Sequence, residues 1–211
     1  MRARSIACWA AVGSMFVGAP GYADGLSPLE ANRLDHGGLV MRTQELTRGD
    51  RRYVGGVTYA VLDARADDVA AVIDDVAGWH RILPRTQDTR LLGIDAGDAL
   101  VEVTHGSGLV RVKYTIRIHR DGRTVRFWMD PSRPHDIEDV WGFIRADQVE
   151  GSRQLVTFGV LIDLGDGLLR DLFENRVREL ALTVPARVRG VVERRGAAAA
   201  GPVVSAARAR Y

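Results

Sequence analysis

The feature that most constrains the fold is a change of hydrophobic period in the second half of the chain. Apolar and polar residues alternate through residues 110–119. Every second residue is apolar or aromatic: Val110, Val112, Tyr114, Ile116 and Ile118. An extended strand points successive side chains to opposite faces, so this segment predicts a strand with one face in the core. From Leu168 to Arg194 the apolar residues recur at helical spacing instead. The sequence therefore predicts a sheet followed by one long amphipathic helix.

The same alternation predicts seven further strands, and two short helices interrupt them. The strands are predicted at residues 39–46, 53–62, 89–94, 100–105, 124–129, 137–145 and 155–163. Ser27 and Pro28 are typical of a helix start, and the first helix is expected to end near His36. The second is expected from Asp67 to Gly78. A short helical turn after it would place Trp79 and Leu83 on one side.

The last helix carries two local signals. Pro185 removes a backbone hydrogen bond and is expected to kink the helix. Arg194, Arg195 and Gly196 indicate a helix end, because basic residues and then glycine are favoured there. The segment 196–211 is rich in alanine, glycine and arginine and is predicted to be a disordered tail.

The N-terminus is typical of a secretory signal peptide covering residues 1–23. Arg2 and Arg4 precede an apolar run from Ile6 to Ala19, and small residues precede Asp24, where cleavage is expected. An uncleaved N-terminal anchor is the alternative. Residues 24–38 then form an N-terminal helical segment and residues 39–195 a single domain. The expected location is the periplasm or the extracellular medium.

Charge and cysteine content exclude several classes of function. The chain has 29 basic and 27 acidic residues, and the signal peptide removes Arg2 and Arg4, which leaves a formal net charge of zero. Nucleic acid is therefore not an expected partner. The single cysteine, Cys8, leaves with the same peptide, which excludes disulfides, a cysteine nucleophile and cysteine-based zinc sites. No spacing of histidines or carboxylates predicts a metal site, and no cofactor is expected.

The order of these elements resembles the START-like (SRPBCC) superfamily in its polyketide cyclase/dehydrase and lipid transport branch. Three stretches within Leu39–Arg194 carry the resemblance: Ala64–Val69 with Asp75, Trp79 and Pro84, then Val140–Phe143, and then Leu168–Val192. The resemblance implies an α+β helix-grip fold, in which a curved antiparallel sheet wraps around the long C-terminal helix. It also implies an apolar cavity between them, where members of the superfamily bind lipids, sterols or polyketides and a minority catalyse cyclisation or dehydration.

Several residues are candidates for lining that cavity. Trp79 and Leu83 would lie at its mouth, as a gate or as ordinary packing on the sheet. Trp141 and Phe143 have an ambiguous strand parity, because Val140 and Ile144 also suit the interior, and Gly142 indicates a close approach of another group. Phe173 and Val177 would form the floor. The full set of predicted ligand-binding residues is Trp79, Leu83, Val103, His105, Val112, Tyr114, Ile116, Phe127, Met129, Trp141, Phe143, Phe158, Phe173 and Val177.

No catalytic constellation is predicted, and His105 and Tyr114 are the weak candidates for proton transfer. His105 is aligned with the inward residues Val101 and Val103, but a histidine at a strand end more often lies in water, and we expect that. The favoured function is an exported carrier or sensor of a small hydrophobic, lipid-like molecule, with possible transient membrane contact. The alternatives are a cyclase/dehydrase-type enzyme using the same cavity and a solidly packed partner-binding module. No sequence feature predicts an oligomeric state.

Overall fold

One antiparallel sheet of eight strands dominates the computed structural model, which describes residues 25–107, 110–166, 170, 174 and 182–200. The strands are β1 Leu39–Arg48, β2 Arg51–Asp63, β3 Thr86–Asp95, β4 Asp98–Ser107, β5 Val110–Asp121, β6 Thr124–Met129, β7 Asp139–Gln148 and β8 Arg153–Asp163. Their order across the sheet is β1-β2-β8-β7-β6-β5-β4-β3. All eight strands predicted from alternation are present, with ends that differ from the predicted ones by a few residues at most, and the predicted α+β helix-grip class is confirmed.

The first helix, α1 Pro28–Asp35, begins where the sequence predicts. The Ser27 hydroxyl accepts a hydrogen bond from the Glu30 amide at 3.3 Å, and Glu30 Oε2 accepts one from the Ser27 amide at 2.7 Å. This reciprocal pair satisfies two amides that a helix start would otherwise leave without partners.

The second helix, α2 Ala66–Asp74, ends before Gly78, so the predicted end was wrong. Asp75 interrupts it, because its carboxylate accepts a hydrogen bond from the Gly78 amide at 3.0 Å and caps a new 3₁₀ helix, Val76–Arg81. A short polar side chain that binds a nearby backbone amide competes with helix continuation in this way.

The C-terminal helix is α3 Val184–Ala200, preceded by a turn at Leu182 and Thr183. Pro185 lies in its first turn, where the missing amide hydrogen has no bond to lose. The predicted stop at Arg194–Gly196 was wrong, because the helix continues through four alanines, the best helix formers. Arg195 also holds this end on α2, since it donates to Asp75 Oδ2 at 3.0 Å and to the Ala71 carbonyl at 3.3 Å.

The sheet has an inner and an outer apolar face. The inner face packs against α2, the 3₁₀ helix and α3 in the main core, which includes Ala60, Val103, Ile116, Phe127, Phe158 and Val188. The outer face carries a smaller cluster of Leu34, Val40, Val61 and Leu155 beneath α1. Where α1 covers the outer side, the strands are therefore apolar on both faces, and each face packs into its own core. This is expected for a sheet with helices on both faces.

An aromatic row crosses the middle of the inner face. The Phe127 ring stacks on Phe158 at 6.1 Å between centroids and meets Trp79 edge-on at 6.0 Å. Trp79 is 3% exposed, and its indole nitrogen donates to the Ile73 carbonyl at 2.8 Å. The row joins the 3₁₀ helix to β6 and β8, and both geometries are favourable for aromatic pairs.

Candidate functional site

Eight of the predicted ligand-binding residues share the inner face. Pairing of β4 with β5 sets Val103 opposite Tyr114 and His105 opposite Val112. Residues directly opposite in an antiparallel pair lie on the same face. The same rule, followed across the sheet, gives the full inner-face set as Val103, His105, Val112, Tyr114, Ile116, Phe127, Met129 and Phe158.

Trp141 and Phe143 lie on the outer face, so their placement in the cavity lining was wrong. Val140, Gly142 and Ile144 take the inward positions of β7. Gly142 explains the choice, because a Cβ atom there would come within 2.6 Å of the Phe127 ring. Trp141 instead meets Tyr53 edge-on at 6.5 Å between centroids. The glycine is the sequence signal that could have resolved the parity, since it marks the side where another group approaches.

Of the four residues predicted for the mouth and the floor of the cavity, the two at the mouth lie within the described residues. Trp79 is a packed core residue, which favours the packing interpretation over a gate. Leu83 is half-buried at the edge of the core. Phe173 and Val177 lie outside the described residues, so the predicted floor stays a prediction.

His105 is not in water, contrary to our expectation. Its Nε2 atom lies 2.7 Å from the Tyr114 hydroxyl oxygen, and its Nδ1 atom lies 3.0 Å from Thr86 Oγ1. The His105 and Tyr114 rings also stack, with centroids 5.5 Å apart. Tyr114 is 8% exposed, whereas His105 and Thr86 are half-buried. The three side chains form one hydrogen-bonded group, called here the polar triad.

Thr86 was missed by sequence reasoning because β3 was predicted to begin three residues later. The backbone brings it into place: Arg85 adopts a left-handed φ of 54°, and the Gly106 amide donates to the Arg85 carbonyl at 3.0 Å. Thr86 is thereby paired with His105 across β3 and β4. A left-handed conformation is uncommon outside glycine, so Arg85 marks a constrained turn from the 3₁₀ helix region into β3.

Burial sets the electrostatics of the polar triad. It lowers the pKa of His105 to about 4, against a smaller opposing effect of a hydrogen bond to the Pro84 carbonyl. Burial also raises the pKa of Tyr114 far above its ordinary value. Both shifts favour the neutral form, as desolvation does for any titratable group. At neutral pH the triad is therefore an uncharged hydrogen-bonding site on an apolar face.

A groove of about 290 Å³ lies elsewhere, between the end of β2, the start of α2 and the last turns of α3. It is lined by Leu62, Asp63, Ala64, Asp68, Arg189, Val192, Glu193 and Gly196. Arg189 braces this corner by donating to the carbonyls of Gly37 at 2.6 Å and Val61 at 3.0 Å. The groove is lined by both charged and apolar residues, and no member of the polar triad is among them. The predicted cavity would lie between the inner face and the predicted floor. Because that floor is outside the described residues, the cavity stays a prediction.

Two features of the described residues bear on metal binding and on membranes. Within the described ranges, no three histidine, cysteine, aspartate or glutamate side chains are grouped closely enough to hold a metal ion. In the same part of the chain, no helix has both the length and the apolar character needed to cross a bilayer.

Comparison with solved structures identifies the fold. A STAR-related lipid transfer protein from Xanthomonas axonopodis is 17% identical, with a TM-score of 0.58 over 74% of this chain and 93% of that one. The Zhui aromatase/cyclase from Streptomyces sp. R1128 is 21% identical, with a TM-score of 0.54 over 77% and 99%. A START superfamily protein from Mycobacterium smegmatis is 7% identical, with a TM-score of 0.54 over 65% and 96%.

No protein-family model matches the sequence, and no curated protein is significantly similar to it. The likeness is therefore one of structure, and at these identities it shows a shared fold. The chain has the START-like, or helix-grip, fold that its sequence resembles.

Proposed function

We propose that this protein binds a small hydrophobic, lipid-like molecule against the inner face of the sheet, beside β4 and β5. The observation that carries the proposal is the composition of that face. It is largely apolar and carries the neutral polar triad, in which Tyr114 is buried and His105 and Thr86 are half-buried. Strand pairing also places the polar residues Thr58, Thr89 and Gln154 on this face, but each is at most 5% exposed. Ligand sites of this kind combine an apolar surface with a few convergent polar groups.

The surroundings of the triad support the same proposal. Leu83 and Val112 are half-buried beside it, although both pack against the main core. Val156 and Phe158 of β8, on the same face, are at most 3% exposed, whereas Ile162 further along β8 is half-buried. Part of the accessible surface of the inner face therefore lies at the polar triad, where a ligand would gain both apolar contact and a hydrogen bond.

The direct test is native mass spectrometry of the protein before and after delipidation, followed by incubation with a lipid extract. We expect a bound species that delipidation removes and the extract restores. Recovery of only the bare protein mass in both experiments would reject the proposal.

A pair of substitutions on β5 localises the site. Val112→Trp adds a large ring on the inner face, whereas Arg111→Trp adds the same ring to the adjacent exposed residue on the other face. We expect the first to abolish recovery of bound lipid and the second to leave it unchanged. Thermal unfolding of both variants, with Val112→Phe as a milder change, separates a blocked site from a misfolded chain.

An enzyme of the cyclase/dehydrase type is the second candidate, favoured by the direct contact of His105 with Tyr114. The pKa directions argue against it as the main function, because a base with a lowered pKa and an acid with a raised one are weak proton carriers at neutral pH. If the protein is such an enzyme, the wild-type protein will convert a compound in the lipid extract to a product that has lost one water molecule. The His105→Asn variant will not. Unchanged extract with both proteins would reject this candidate.

Export to the periplasm or medium is part of the same proposal. It rests on the basic start, the apolar run and the small residues before Asp24. The intact mass of the protein recovered from the producing cells tests it. A mature chain that begins at Asp24 is expected, and retention of Met1 or Arg2 would indicate the uncleaved anchor instead.

A further inference from the structure

The hydrogen-bond geometry of the polar triad decides what kind of polar group a ligand can present to it. A neutral histidine carries one proton, on either Nδ1 or Nε2, and the other nitrogen accepts. With the proton on Nδ1, Tyr114 donates its hydroxyl hydrogen to Nε2. With the proton on Nε2, Nε2 donates to the tyrosine oxygen, and the tyrosine hydrogen is left for a ligand. The two arrangements therefore select opposite ligands.

The distances favour the proton on Nδ1. Hydrogen bonds donated by a hydroxyl are typically about 2.7–2.8 Å long, and those donated by a nitrogen about 2.9–3.0 Å. The Tyr114 to Nε2 distance is 2.7 Å, and the Nδ1 to Thr86 distance is 3.0 Å. The short contact fits a hydroxyl donor, and the longer contact fits a ring nitrogen donor.

A count of donors gives the same answer independently. With the proton on Nδ1, the ring donates to Thr86 Oγ1, and the Thr86 hydroxyl donates to the Pro84 carbonyl at 3.5 Å. With the proton on Nε2, the Tyr114 hydroxyl hydrogen has no acceptor, because His105 is its one hydrogen-bond partner among the described residues. A buried donor without a partner costs about 1–3 kcal/mol, so the first arrangement is the stable one.

We propose that the site selects ligands with a hydrogen-bond donor, such as an alcohol or phenol, over ketones, ethers and esters of the same shape. The Tyr114 hydroxyl donates its hydrogen bond to His105, so its oxygen presents only lone pairs to the inner face. A hydroxyl group can donate to it, whereas a carbonyl oxygen placed there meets another acceptor. This inference rests on the proposed function, since it names the ligand class of the same site.

The first experiment measures binding of 2-decanol and 2-decanone to the delipidated protein by titration calorimetry. We expect the alcohol to bind roughly three- to tenfold more tightly than the ketone, the value of one hydrogen bond. Equal affinities, or a preference for the ketone, would overturn the inference and leave the proposed function standing. Binding of neither probe, with no lipid recovered by mass spectrometry, would reject both.

The matched variant combines Tyr114→Phe with His105→Phe, because Tyr114→Phe alone would leave Nε2 of His105 as an unpaired acceptor for the alcohol. In the double variant the preference for the alcohol is expected to disappear, and thermal unfolding checks that the chain folds. A preference that persists in the folded double variant would show that another group selects the hydroxyl.

A second measurement does not depend on any ligand or variant affinity. Long-range ¹H–¹⁵N correlation of the histidine rings reports which nitrogen carries the proton, and His105→Asn identifies the signal. We expect a protonated Nδ1 at neutral pH. A protonated Nε2 would overturn the inference even if the probes bind.

Discussion

The two sides of the inner face are made from the same alternating strands, yet they are closed in different ways. On the β2–β8 side, Ala60, Val156 and Phe158 are each at most 3% exposed, and α3 packs over these two strands. On the β4–β5 side, Val103 and Ile116 are equally buried, but Leu83, His105 and Val112 are half-buried around the polar triad. The difference teaches that strand pattern alone does not set burial: among the described residues, the side chains that α3 packs over are closed, whereas those around the polar triad keep some exposure.

The strongest test of this comparison is to truncate one residue on each side. Phe158→Ala removes a stacked, buried ring and should lower the free energy of unfolding by about 3–5 kcal/mol. Val112→Ala removes half-buried methyl groups and should cost about 1 kcal/mol or less. Urea denaturation measures both. Equal losses would mean that the β4–β5 side is as tightly packed as the β2–β8 side.

Trp79 connects the two sides, so its substitution tests the aromatic row. Trp79→Phe keeps a ring but leaves the Ile73 carbonyl without its donor, and should destabilise the protein by about 2–3 kcal/mol. Denaturant unfolding again gives the value. A loss below about 1 kcal/mol would support the gate interpretation, in which Trp79 moves aside for a ligand.

The pH dependence of stability tests whether His105 is held neutral. Its pKa is about 4 in the folded protein and ordinarily 6.5, so between these values the unfolded chain binds a proton that the folded chain does not. Stability should therefore fall as the pH falls from 6.5 to 4, and level off below 4, by up to about 3 kcal/mol from this group.

His105→Asn is the control for that measurement, because asparagine does not titrate. The difference between the two stability curves isolates the histidine from the carboxylates that titrate in the same range. Parallel curves from pH 6.5 to pH 4 would show that His105 is accessible to water, as we first expected.

The smallest effect on ligand binding is expected on the outer face. Trp141→Thr should cost about 1–2 kcal/mol of stability through the lost contact with Tyr53, and should change 2-decanol affinity by less than twofold. Titration calorimetry checks the second value. A large loss of affinity would place Trp141 in the site after all and contradict the parity of β7.

Much of the fold was predictable because its signals are local. Eight strands followed from period-two alternation, and the capping pair of Ser27 and Glu30 is a property of four consecutive residues. Where two interpretations were locally equivalent, prediction failed. Trp141 and Phe143 compete with Val140 and Ile144 for the interior, and only the packing of Phe127 over Gly142 separates them.

The site was half predictable for the same reason. His105 and Tyr114 were identified as candidates from strand parity, but their direct contact depends on the pairing of β4 with β5. Thr86 carried no signal, because the turn at Arg85 that brings it to His105 is made by a contact with Gly106 from another strand.

The sequence by itself determined the elements, their order and the apolar character of the inner face, since these depend on neighbours within a few residues along the chain. The tertiary structure alone decided how deeply each described residue of that face is buried, where the polar triad forms and that its histidine stays neutral. Those properties come from residues far apart in the chain, and desolvation acts on a group only once other elements have packed around it.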